Sequence, residues 1–196
     1  RTLAEVSRIA RTLLSPHNFG HIAVVAEGNP GISALLARLA AHLAGFKVIQ
    51  STPASLTSEG NNKVEQFKRD LVAAYTNAGV KNEKLMFLLR DHEILEDSLF
   101  VYLSEFIIHG NINHLFSPEE QTKIVNSVRT DVAQAGLTYN REVAWEFFLR
   151  GVRRNFRICL IVTDAEQPFH RLCQQFPVLI STINFIWLQH WHPNQL

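Results

Sequence analysis

The segment Ala26-Glu27-Gly28-Asn29-Pro30-Gly31-Ile32-Ser33 joins a short apolar run to a leucine-rich helical pattern, with two glycines inside it and a hydroxyl at its end. Such a loop can cradle phosphate, because backbone amides and a helix N-terminus converge on the anion. The full pattern, G-x-x-x-x-G-K-[ST], adds a lysine for the terminal phosphates and a hydroxyl residue for magnesium. Gly31 and Ser33 hold two of its positions, whereas Ala26 replaces the first glycine and Ile32 the lysine. An amide nest and a metal hydroxyl survive without the cation, and Glu27 adds an unhelpful negative charge. Losing that charge-assisted contact weakens triphosphate binding by roughly 2–3 kcal/mol. By itself the loop reads equally as a helix cap that holds no ligand.

A second element strengthens the phosphate reading. The apolar run Leu85-Met86-Phe87-Leu88-Leu89 stops at Arg90-Asp91, and a phosphate-loop protein places its magnesium-reaching carboxylate at the end of such a strand. Hydrolytic members follow that aspartate with a glutamate that polarises water. Here His92 follows, and Glu93 comes one position late, where an extended backbone turns its side chain the other way. Asp91 also suits a helix N-cap. Elsewhere the chemistry is thinner. His190-x-His192, beside Trp187 and Trp191, lacks the third and fourth ligands of a metal site and reads as a surface loop. Arg153-Arg154, with Arg150 and Arg157, either meets a nucleotide or neighbouring subunit or simply ends a helix in solvent. Arg171, before Phe176-Pro177, reads as a finger reaching across a subunit boundary or as an exposed helix residue. No Ser/His/Asp or Cys/His set has convincing spacing.

These residues need strands and helices to position them. Leu3, Val6, Ile9, Leu13 and Leu14 recur at helical spacing, predicting a helix that ends near Ser15-Pro16. Residues 21–26, 46–49, 85–89 and 156–162 are short apolar runs of strand type, and 178–180 with 183–187 closes the sheet. Helices are expected from Ser33 to Gly45, over 64–78, 95–109, 118–134 and 141–153, with an exposed loop over 51–62. Alternation of strand and helix predicts an α/β fold with a parallel five-stranded sheet and helices on both faces. The helical segment 95–153 interrupts that alternation and reads as an insertion or partly independent lobe.

Composition narrows the function classes. The 196 residues are 46% hydrophobic, with 19 basic against 18 acidic side chains, the profile of one globular domain without a field to gather nucleic acid or an anionic membrane. No apolar stretch is long enough to span a bilayer, so a soluble, intracellular protein is expected. Cys159 and Cys173 are the two cysteines, too few for a disulfide scaffold. A start at Arg1 and an end at Asn194-Gln195-Leu196 suggest a piece of a longer chain.

The pieces in order resemble the fourth AAA+ module of dynein heavy chains over almost the whole chain. The resemblance rests on Arg8-Ile9-x-Arg11, the loop with Arg38-Leu39-Ala40, Phe67-Lys68-x-Asp70-Leu71 before Ala78-Gly79-Val80, and Phe87-Leu88-Leu89-x-Asp91. It continues through His109-Gly110-x-Ile112, Leu115-Phe116, Val128-Arg129, Ala135-Gly136-Leu137 and Phe147-Phe148-x-x-x-Val152-Arg153, and ends in Arg171-x-Cys173-x-Gln175-Phe176-Pro177 and Trp187-Leu188-x-x-Trp191. The resemblance implies the large α/β subdomain of a P-loop NTPase of AAA+ type, residues 1–196 forming a single unit with a leading helix over 1–16. It implies one module of a six-module ring, with neighbouring AAA+ modules of the same heavy chain as partners and microtubules reached through the parent chain. The setting is cytoplasmic and cytoskeletal, with the ciliary axoneme as one place for it. Gly28, Asn29, Pro30, Gly31, Ile32, Ser33 and Ala34 fall on the phosphate-loop positions, and Asp91 and Ser33 on those that reach magnesium. Thr163 corresponds to a polar sensor and Arg171 to a finger, although Leu172 and Gln174 stand where the family often has further arginines. The implied ligand is ATP or ADP with magnesium. With Ala26, Ile32 and His92 departing from the pattern, weak binding or an empty cradle is expected, and no hydrolysis. Two other readings compete: a free-standing P-loop NTPase or kinase whose missing cation is replaced by Arg38, Arg90 or Arg153, and a nucleotide-free interaction scaffold.

Overall fold

Strands apolar on both faces commit a sheet to helices on either side, and the computed structural model has that form. It describes residues 2–15, 20–26, 30–50, 61–90, 97–112, 115–163, 174 and 177–188. Helix α1 (Thr2–Leu14) leads into strand β1 (Ile22–Ala26), helix α2 (Pro30–Leu43) and strand β2 (Lys47–Gln50). Helix α3 (Asn61–Gly79) and strand β3 (Leu85–Arg90) follow. Four helices come next: α4 (Asp97–His109), α5 (Pro118–Ser127), α6 (Arg129–Gln134) and α7 (Arg141–Asn155). Strand β4 (Phe156–Thr163), helix α8 (Pro177–Thr182) and strand β5 (Asn184–Leu188) complete the described chain.

All strands run parallel in the order β2-β3-β4-β1-β5. Alternate strand residues feed two cores, as the two-residue period of a strand requires. Ile22, Val24, Met86, Leu88, Cys159 and Ile161 pack with α1 and α2, whereas Ala23, Phe87, Leu89, Phe156, Ile158 and Leu160 pack with α3 to α7. The helices between β3 and β4 therefore share one continuous core with the sheet and form no separate lobe. Tyr75, Phe87, Phe106 and Phe156 meet at its centre, with ring centroids 5.1–6.2 Å apart across the contacts of Phe156.

Two expectations change. The apolar triplet 178–180 lies in helix α8, and the closing strand is Asn184–Leu188 alone. Three consecutive apolar residues fit either element; Pro177, ideal at the first helical position, tips them toward helix. Residues 118–134 form two helices, broken at Val128, whose φ of −87° and ψ of 0° leave the α region. Along α2 the row Leu35, Leu39 and Leu43 faces solvent, 64%, 48% and 65% exposed, while Ala37, Ala40 and Ala41 face the sheet. Small residues there let α2 lie close to β1 and β4.

Close approach also explains two glycines in helices α3 and α7. A methyl group at Gly79 would strike the ring of Phe148, and one at Gly151 would stand 3.1 Å from the carbonyl oxygen of Gly79. Gly79→Ala is expected to destabilise the fold by about 1–3 kcal/mol through overpacking, read as a lower urea midpoint at unchanged slope.

His21 is wholly buried just before β1, where its Nδ1 accepts the N–H of Ile158 at 3.1 Å and its ring meets Phe106 edge-on. Burial, and secondarily the charge of Arg157, lower its pKa from 6.5 to about 3. The unfolded chain thus takes up a proton that the folded chain refuses, so this stabilisation is complete above pH 6.5 and drains as pH falls toward 3. Between pH 6.5 and 5 the chain should lose about 1.5 kcal/mol of stability from His21. Denaturant curves of His21→Asn across the same range should be flatter by that amount. Cys159 in β4 is buried with a free thiol, and burial pushes its pKa up, which leaves it inert.

A candidate phosphate cradle at the switch point of the sheet

Strand β1 lies between β4 and β5, so the chain leaves it in one direction to reach β2 and returns in the other to form β5. Open parallel sheets bind ligands in the crevice beyond the strand ends at such a reversal. Ala26, the last residue of β1, is paired with Thr163 of β4 and Leu188 of β5. Position 26 is thus still within the ladder. Helix α2 begins at Pro30, and its first turn carries Gly31, Ile32 and Ser33 above the end of the sheet. Proline at the start of a helix costs no hydrogen bond, which sets the helix boundary three residues ahead of the expected Ser33.

Within that first turn the side chains divide. Pro30 and Gly31 are exposed, Ser33 and Ala34 are buried at 3% exposure each, and Ile32 is half-buried. Ile32 packs against the apolar cluster shared by α1, α2 and the sheet. The position that a phosphate-binding lysine would occupy therefore contributes to the core. At the hydroxyl position stands the buried Ser33, and at the cation position an isoleucine, which offers no charge to the end of a triphosphate.

Thr163 ends β4 beside Ala26, and Arg90 ends β3 in register with Ile161 of β4. The structure thus brings positions 26, 30–34, 90 and 163 to one edge of the sheet. Gly28, Asn29, Asp91 and Arg171 lie outside the described residues, as do His92, Glu93, His190 and His192. Of the three arginines weighed as substitute cations, Arg153 is excluded by position, since it lies in the last turn of α7, at the opposite edge of the sheet. Arg38 sits on the exposed side of α2 and donates to Gln50. Arg90 ends β3 at the edge of the sheet that carries the loop, a placement visible in the sequence only once the run 85–89 is taken as a strand. Among the described residues no three His, Cys, Asp or Glu gather as a metal site, and no helix is long and apolar enough to cross a membrane.

Five parallel strands in the order β2-β3-β4-β1-β5, with helix α2 following β1 at the reversal and helices on both faces, make this the α/β fold of a P-loop module of the AAA+ class. The chain belongs to the dynein heavy-chain family: the family model described as the P-loop containing dynein motor region D4 matches residues 1–196. It is 31% identical over 191 residues to the dynein beta chain of the flagellar outer arm of Chlamydomonas reinhardtii. It is also 30% identical over 194 residues to human dynein axonemal heavy chain 17. Those alignments cover 97% and 99% of this chain but 4% of either relative, so the chain spans about one twenty-fifth of their length. Among solved structures, the Aeropyrum pernix ORC2 protein aligns over 95% of this chain and 46% of its own at 14% identity, with a TM-score of 0.42, a likeness too loose to inform function.

Proposed function

We propose that this chain is a ring module of a dynein-type microtubule motor that serves coupling and architecture, holds nucleotide weakly or not at all, and hydrolyses none. The single observation that carries this reading is Ile32, which stands at the lysine position and packs into the core cluster of α1 and α2. The sequence adds His92 where a hydrolytic module has glutamate. Hydrolysis then occurs elsewhere in the parent heavy chain. The exposed row Leu35, Leu39 and Leu43 supports life within a larger assembly, because a contiguous apolar patch favours contact over solvent. Neighbouring AAA+ modules of the same chain are the proposed partners. The names of the relatives, a flagellar outer-arm chain and an axonemal heavy chain, favour a ciliary or flagellar setting.

A second reading, a nucleotide-hydrolysing module with a substitute cation, is favoured by Arg90 at the cradle's edge. Calorimetry separates the two. Titration of magnesium-ATP and magnesium-ADP into the chain should give no heat or millimolar affinity, about −4 kcal/mol at most. Micromolar binding that falls in Arg90→Gln would establish the second reading instead.

A further inference from the structure

The edge of the sheet opposite the cradle holds a cleft of about 650 Å³, a size that suits a small ligand. Five of the chain's 19 basic residues line it: Lys84, Arg150, Arg153, Arg154 and Arg157. Arg150, Arg153 and Arg154 stand at spacings of three and four along α7, which puts them on one face, and Arg157 follows at the start of β4. Leu13, Leu14 and Phe46 supply an apolar floor. Among the described residues no carboxylate lines the cleft. In a chain of net charge +1, this is a concentrated positive field, in which the described residues pair one arginine, Arg153, with Glu146 at 3.0 Å.

The roles of the five cations differ. Arg157 is structural: its Nε donates to the carbonyl oxygen of Leu13 at 3.1 Å and its Nη1 to those of Arg153 at 2.7 Å and Phe156 at 3.1 Å. It ties the ends of α1 and α7 together, and burial lowers its pKa to about 10. Arg153 is held by Glu146 and by the carbonyl oxygen of Gly110. Arg154 gives one donor to Oδ1 of Asn82, at 2.7 Å, and keeps the rest of its fork. Asn82, at a φ of 57°, also accepts from Nδ2 of Asn155 at 2.7 Å, which fixes the rim. Arg150 is exposed with no partner among the described residues, and Lys84 lies with its Nζ 5.9 Å from the Phe46 ring centre. Three cations on a fixed rim thus face a concave space with unspent donors. Guanidinium forks of this kind match phosphate oxygens two at a time.

We propose that this cleft binds a compact, multiply charged phosphate compound through Arg150, Arg154 and Lys84, separately from the cradle. The length of β1 alone places the two sites about 15 Å apart. A single concave space of this volume favours a small molecule over an extended acidic peptide.

The test uses inorganic tripolyphosphate as probe and the 196-residue chain, with NMR to report position and calorimetry to report affinity. Saturable binding is expected, with shifts of the Asn82 and Asn155 side-chain amides, and salt should weaken it. Arg150→Gln, which breaks no hydrogen bond among the described residues, should weaken binding at least threefold, and Arg150→Gln with Arg154→Gln at least tenfold. Arg69→Gln with Arg129→Gln removes the same charge away from the cleft and should change affinity less than twofold. Equal losses in the two double variants, absence of saturation, or shifts confined to Gly31 and Ser33 would each overturn the proposal.

Discussion

Ile32→Lys is expected to tighten magnesium-ATP binding by roughly 30- to 150-fold, the equivalent of restoring about 2–3 kcal/mol of charge-assisted contact. The described part of the loop suits it: α2 begins at Pro30 and carries Ser33 in its first turn, following β1. Ile32 is only half-buried, so a lysine can lay its stem along the same apolar surface and carry its ammonium to the phosphates. The lost branched packing against the α1 and α2 cluster costs about 1 kcal/mol of stability. Ile32→Met, which changes shape without charge, is the control, and its affinity should match that of the unaltered chain. Calorimetry reads both. If Ile32→Lys gains less than threefold, the missing cation is not what limits nucleotide binding.

The largest loss of stability is expected from Phe156→Ala, about 3–5 kcal/mol. Phe156 is fully buried at the start of β4, with its ring centroid 5.1 Å from Phe106, 5.6 Å from Tyr75 and 6.2 Å from Phe87. One side chain therefore joins α3, α4, β3 and β4, and its removal leaves a cavity that four elements border. Against a total stability of about 5–15 kcal/mol for an ordinary domain, the variant should show a much lower denaturant midpoint. Phe156→Leu, which refills most of the volume, should recover more than half. Equal midpoints for the unaltered chain and Phe156→Ala would mean that the aromatic centre does not hold the helices to the sheet.

The strands were legible because burial on both faces writes continuous apolar runs, as in residues 85–89 and 156–162. The short segment 178–180 was not, since three apolar residues carry no period. The break at Val128 was also silent: it arises from a local backbone turn between two segments that each bury an apolar side. The leucines of α2 show a period without showing which face is buried. Their spacing announced a helix, but alanines take the face toward the sheet and three leucines turn outward. For the candidate cradle, the isoleucine at the lysine position is plain in the sequence, and the resemblance to the dynein family gave the identity that the family model bears out. That Ile32 joins the core needed the packing, because a half-buried isoleucine looks the same in sequence as one aimed at a ligand. The grouping of the basic run with Lys84 and Phe46 was equally hidden, since only the parallel register brings the starts of β2, β3 and β4 to one edge.

Phosphate release from magnesium-ATP by the chain itself tests the central claim most directly. The account predicts release no faster than in buffer alone, and still none for Ile32→Lys, which binds nucleotide but keeps His92 in place of the water-polarising glutamate. Steady release by the unaltered chain that is abolished in Asp91→Ala would contradict it, and would make this module a working ATPase.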